Sequence, residues 1–327
     1  MILVLINFML LSLAFTVGKL ALDYMTPIFF IGFRMSVAGA LLLTYVYFFR
    51  RNEWRISKKD VPLLLAISFF HIYLSFILEF WALQYVDSAK ACFMFNLSPF
   101  VTALFAYIWL KEPMTSKKWV GLIIGFLGFL PVLMTNGAVE RSVGTFFFFS
   151  MPELALLAAA SAAAYAWILI KKLMKHSHYS PMMINGFAMF TSGIGAFITA
   201  FFLEKGPYIR VPEGGIEQTL ETIPYIGFLF TGLGAKLLPL LFYTGLLILI
   251  SNVIFYNLYA YLLKKYSATF LSFAGITAPL FAAFFGWLLL GEVITWGFYV
   301  SLVIVGLGLY IFYQDELKWQ KQSEQNS

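Results

Sequence analysis

Charge is scarce in this 327-residue chain. Asp, Glu, Lys and Arg make up 12% of it, about half the share of an average soluble domain. With 61% hydrophobic residues and a mean hydropathy of +0.85, the chain cannot cover a globular surface with water-facing groups. A soluble protein is excluded, and a multi-pass membrane protein is expected. Cysteine is nearly absent: Cys92 stands alone in an apolar run, so no internal disulfide framework exists. The three histidines, His71, His176 and His178, have no metal-ligand spacing, so neither metal nor cofactor is expected. No glycine-rich phosphate loop or soluble ATPase segment is present, which excludes a self-contained ATP-driven pump. A rhomboid-type protease would want a Gly-x-Ser-Gly element and a paired membrane histidine; neither is found, and the chain is not expected to be an enzyme. Residues 1–22 lack a basic leader region and a small-x-small cleavage site, so they read as a retained first span.

What the chain has is long apolar runs. A bilayer core takes about 20 residues per helix, and that ruler finds ten segments: 1–22, 27–49, 61–85, 88–110, 117–135, 152–174, 180–203, 237–263, 267–290 and 295–313. Strand alternation is missing, so the expected fold is an all-α integral membrane bundle whose helices satisfy their own backbone groups. The net charge of +6 would elsewhere suggest nucleic acid. Here Lys and Arg sort by loop, fifteen on the side of the N-terminus and six on the other. The positive-inside rule then puts both termini in the cytoplasm and leaves lipid, not nucleic acid, as the charge's partner. The loop 204–236 falls outside, and 314–327 forms a cytoplasmic tail.

The chain also repeats itself. At a constant offset of 180, Pro99 matches Pro279, Ala103 matches Ala283, Leu110 matches Leu290, Glu112 matches Glu292, Thr115 matches Thr295 and Gly128 matches Gly308. At an offset of 154, Pro27, Gly32 and Phe33 match Pro181, Gly186 and Phe187. Two five-helix repeats follow, 1–135 and 152–313, joined by a linker at 136–151. Five is odd, so the second repeat enters the membrane from the opposite side, the inverted architecture of secondary transporters.

The proline and "FR" of the second segment, the "P…LxxE" endings of segments four and nine and the glycine-rich segments five and ten resemble the EamA family of the drug/metabolite transporter superfamily. The resemblance covers nearly the whole chain. It implies a ten-helix carrier of small metabolites, often amino acids or related solutes, in the bacterial cytoplasmic membrane. The long loop 204–236 departs from the family pattern.

Arg34 is the remaining cation, belonging to neither side. A charge deep in a span costs about 2.5–3.5 kcal/mol on insertion scales and calls for a partner or water. By helical rise Arg34 lies roughly 10 Å, Glu79 roughly 9 Å and Asn96 roughly 12 Å from the outer ends of their segments, so one polar cluster is expected. Two uses compete: an Arg34–Glu79 pair that sets packing, or a guanidinium fork offered to a substrate carboxylate or phosphate. His71, Ser75 and Glu79 recur at i+4 and form one interior polar face; His71 or Glu79 is also a candidate for proton coupling. Asn252, Tyr256 and Tyr259 form a second face, with Tyr165 and Trp167 as aromatic walls. Pro99 and Pro279 suit paired hinges. Glu112 and Glu292 read as helix-end anchors, and Gly121/Gly125 as a packing motif that also suits a homodimer.

The expected function is alternating-access transport of a small polar, amino-acid-like metabolite, by a monomer or homodimer. The alternatives are an S-adenosylmethionine- or nucleoside-type exchanger, and a channel or scaffold.

Overall fold

The computed structural model describes residues 2–51, 54, 56–110, 114–134, 140, 142–147, 149–176, 179–205, 207–209, 233–255, 258–259, 262 and 274–325. Helices α1 (Ile2–Leu22) and α2 (Pro27–Phe49) come first. Helix α3 begins at Val61, turns π-helical over Ser68–Leu74 and resumes as α-helix over Ser75–Leu83. Then follow α4 (Ser88–Phe95), α5 (Ser98–Leu110), α6 (Ser116–Leu127) and the short α7 (Leu130–Leu133). Helices α8 (Met151–His176) and α9 (Pro181–Leu203) precede α10, which is α-helical over Leu233–Leu247 and π-helical over Ile248–Phe255. The last two are α11 (Thr277–Leu290) and α12 (Trp296–Gln325). Seven helices among the described residues are long and apolar enough to cross a membrane.

Local chemistry sets the boundaries. Pro27 and Pro181 open α2 and α9 where the missing N–H costs nothing, and the Ser180 hydroxyl accepts from Met183 N. The Thr115 hydroxyl accepts from Lys118 N at the start of α6. Gly291 ends α11 at φ 65°, a left-handed cap that glycine alone adopts cheaply. One departure from the all-helical expectation is a hairpin, β1 (Thr145–Phe146) against β2 (Phe149–Ser150). It forms where aromatic residues follow Gly144, which has φ 116°.

The chain folds into two compact units that cut across the sequence repeats: residues 1–16, 85–164 and 254–327 in one, residues 17–84 and 165–253 in the other. In the second unit α2 packs antiparallel on α9. A Cβ added at Gly32 would touch Phe197 N at 3.0 Å; one at Gly39 would strike the backbone of Phe190, and one at Gly193 the backbone of Ser36. Gly186 meets Leu42 and Leu43 at 3.2 Å. The contacts are reciprocal at the 154 offset: Gly39–Phe190 becomes Ser36–Gly193, and Gly32–Phe197 becomes Leu43–Gly186.

The first unit repeats the device. There α6 runs antiparallel to α12, with Gly128 against Val305 and Gly125 against Gly308, reciprocal at the 180 offset. Gly121 meets Gly308 and Phe312, and Ser301 Oγ accepts from Val132 N at 3.0 Å. The Gly121/Gly125 motif is thus packed against α12 and Phe100 within one chain.

Candidate functional site

In the second unit, Arg34 leaves α2 on the side away from Gly32 and Ser36, which are committed to α9. It is 2% exposed. Its Nη2 donates to Asn252 Oδ1 at 3.3 Å, and its guanidinium carbon lies 5.6 Å from the centre of the Phe76 ring and 6.0 Å from that of Phe80. Glu79, on the same helix as those rings, is buried and feels the Arg34 charge. Asn252 also donates from Nδ2 to Met189 Sδ at 3.3 Å. Arg34 therefore reads across the sequence repeat to the π-turn of α10. Its amide partner is Asn252, where position along the helices suggested Asn96.

Asn96 belongs to the first unit. It sits at the C-terminus of α4, and its Nδ2 donates to Cys92 O at 2.9 Å. Tyr259 also belongs to the first unit, stacked on Phe255 at 5.9 Å. Tyr256 lies outside the described residues, as does Glu112. Asn96–Leu97 and Gly275–Ile276 are turns that separate α4 from α5 and precede α11, just before the helix starts that carry Pro99 and Pro279.

His71 and Ser75 are buried in the second unit with Glu79. His71 meets Trp167 edge to face at 5.1 Å, and its neighbour Phe70 meets Tyr165 in the same way at 5.0 Å. The π-turn carrying His71 is held from α9: Ser192 Oγ donates to Ser68 O at 2.7 Å, and Thr191 Oγ1 to Ser68 Oγ at 2.9 Å. A π-turn widens the helix by shifting its backbone hydrogen bonds from i→i−4 to i→i−5, and the α9 hydroxyls tie this wider turn to the neighbouring helix. The second π-turn, Ile248–Phe255, starts 180 residues after Ser68, the same offset that relates Pro99 to Pro279. Ser251 and Asn252 are its buried polar residues.

Sequence reasoning missed the Lys90 cluster, the cap made by Glu204 and the burial of Lys118, while Glu292 was expected as a helix-end anchor. Lys90, counted among the loop cations, is 7% exposed. Its Nζ lies 2.9 and 3.0 Å from the two Glu140 oxygens and 2.7 Å from Glu153 Oε1. Ser150 completes the cluster, donating to Glu140 Oε1 at 2.6 Å and, from its N–H, to Glu153 Oε2 at 2.7 Å. The Ser-x-x-Glu spacing of a capping box at 150–153 was the available signal. Glu204 accepts from Thr26 Oγ1 and from the N–H groups of Ile28 and Phe29, at 2.7, 2.7 and 2.9 Å. Glu292 accepts from Ser88 N at 2.9 Å and Ser88 Oγ at 2.8 Å. Carboxylates thus cap the starts of α2 and α4 from remote sequence, as the helix dipole favours. Lys118, counted on the other side of the membrane, is also buried, with its Nζ 5.9 Å from the Phe312 ring centre. Removing both cations leaves the loop imbalance as large as before.

The family model described as the EamA-like transporter family matches residues 1–134 and again 150–314. An S-adenosylmethionine/S-adenosylhomocysteine transporter of Chlamydia muridarum is 34% identical over 97% of this chain and 92% of its own length. The protein of the same name in Chlamydia trachomatis serovar L2 is 32% identical over 97% and 89%. An uncharacterized transporter of Archaeoglobus fulgidus is 25% identical over 92% and 93%. A solved crystal structure superposes with a TM-score of 0.54 over 94% of this chain and 95% of that one, at 14% identity, a likeness of fold alone.

Proposed function

Because the chain belongs to the EamA-like transporter family, and so moves a small metabolite across a membrane, we propose that its solutes are S-adenosylmethionine and S-adenosylhomocysteine. The full-length similarity to the two chlamydial transporters carries this reading. The site's chemistry agrees with it. Both solutes end in an α-amino acid, a carboxylate beside an ammonium. Buried Arg34 and Glu79 supply the opposite charges, Asn252 a further polar contact, and Phe76 and Phe80 a low-dielectric wall. A guanidinium fork matches a carboxylate in a way that an ammonium cannot.

The transport cycle we infer is alternating access between two inverted five-helix repeats, ten spans in all, with both termini in the cytoplasm. Supporting the inversion, α2 and α9 occupy equivalent positions in the two repeats and run antiparallel through reciprocal contacts; α6 and α12 do the same. Interfaces whose contacts exchange in this way are the mark of a two-fold relation. The turns at Asn96–Leu97 and Gly275–Ile276 supply the hinges. The Lys and Arg imbalance carries the orientation.

The test is counterflow in proteoliposomes. Wild-type protein loaded with S-adenosylhomocysteine should accumulate labelled S-adenosylmethionine with saturation. Arg34→Ala, inserted and folded, should lose about ten- to hundredfold of that uptake, the worth of a desolvated charge-assisted pair. Unsaturable currents would indicate a channel instead. Wild-type uptake by Arg34→Ala would remove Arg34 from the site.

A further inference from the structure

His71 is 4% exposed, and among the described residues neither of its ring nitrogens has a hydrogen-bond partner. Buried polar groups normally find one, since each left unmade costs free energy. The imidazole therefore has a donor and an acceptor in reserve. Its ring is covered edge-on by Trp167, whose side chain is half-exposed, with the Phe70–Tyr165 pair alongside. A neutral imidazole offers one N–H and one lone pair on a planar ring. The two ring nitrogens point away from each other, so one of them at a time faces a base edge; with its lone pair it accepts from the exocyclic amino group of adenine.

The π-turn decides where this imidazole stands relative to the charged end of the site. In an uninterrupted α-helix, the eight residues from His71 to Glu79 would rotate the two side chains about 80° apart. A π-turn has roughly 4.4 residues per turn, so the four steps from His71 to Ser75 fall about 33° short of a full turn. The four α-helical steps to Glu79 overshoot by about 40°. The two errors nearly cancel, leaving His71, Ser75 and Glu79 in line over about 10–12 Å of helix. The equivalent residues in the other repeat are Ser251, Phe255 and Tyr259, with a phenyl ring in place of the central hydroxyl and a phenol in place of the carboxylate.

We propose that His71 reads the base of the transported nucleoside: its imidazole hydrogen-bonds the amino edge of adenine, and the Trp167 indole swings off His71 to stack on the purine face. This rests on the S-adenosyl reading above. Glu79 and Arg34, at the far end of the polar line, hold the amino-acid moiety.

The experiment measures competition against labelled S-adenosylmethionine counterflow by S-adenosylhomocysteine and by S-inosylhomocysteine, whose six-position carries oxygen in place of the amino group. Wild type should favour the adenosyl compound by about ten- to hundredfold; a wild-type ratio near one, the result for an imidazole that changes tautomer to donate to the six-position oxygen, overturns the proposal. His71→Ala should bring that ratio near one. His71→Gln, which keeps a donor and an acceptor, should retain part of it. A purely structural role would lower both competitors' affinities together and leave the ratio intact, and an undiminished ratio in His71→Ala overturns the proposal. If His71→Ala does not fold, the same reading is taken on His71→Gln, where an undiminished ratio together with unchanged affinities overturns it. If wild-type protein takes up neither S-adenosyl compound, the proposed function itself falls, a result distinct from a persisting ratio in a protein that transports both.

Discussion

Removing Lys90 should destabilise this protein more than removing any cation on its surface. Lys90 faces two carboxylates, Glu140 at 2.9 and 3.0 Å and Glu153 at 2.7 Å, with side-chain exposures of 8%, 4% and 0% in that order. Lys90→Met replaces the ammonium with an apolar chain of similar length and strands two anions with no other cation in contact among the described residues. Breaking a buried ion pair from one side costs about 3–5 kcal/mol. Protonation of one carboxylate would recover part of that, so the low end is expected at neutral pH and less at pH 5. Lys90→Met/Glu140→Gln/Glu153→Gln removes the stranded charge and should return to within about 1–2 kcal/mol of wild type, because the attraction within a buried triad is largely offset by the cost of desolvating its charges. Tryptophan fluorescence during graded SDS unfolding of mixed micelles measures the series, with eight tryptophans as reporters. A single mutant within about 1 kcal/mol of wild type, or a triple mutant as unstable as the single, would refute the buried-triad reasoning.

Gly39→Val forces a side chain against the Phe190 backbone, and Gly193→Val does so against Ser36. Both should lower the unfolding midpoint in detergent by similar amounts, worth about 1–3 kcal/mol each, and unequal losses would argue against a reciprocal interface. Glu292→Ala leaves Ser88 N and Oγ without their acceptor and should cost about 1–3 kcal/mol, with Glu292→Gln nearer wild type in the same thermal assay. Ser192→Ala removes the donor to Ser68 O. It should speed amide exchange in the π-turn relative to the rest of α3, which hydrogen-exchange mass spectrometry reads directly.

The membrane class, the helical segments and the internal repeat are legible in the sequence because they depend on chemistry summed along a short stretch. Apolar length decides insertion, proline and glycine decide where helices start and stop, and a duplicated pattern shows itself without folding. Arg34, Glu79 and His71 were also visible, since a polar residue amid lipid-length apolar runs is costly wherever it points. What tertiary structure alone decided was partnership. Asn252, more than two hundred residues away, reaches Arg34, while Asn96 bonds its own helix. Lys90 turns out to be an interior cation, which loop position cannot reveal, because burial depends on which distant carboxylates arrive beside it. The π-turns have the same origin. No local propensity separates seven π-helical residues from an α-helix, and the Ser192 hydroxyl that bonds the Ser68 carbonyl arrives from another helix, so only packing could choose that geometry.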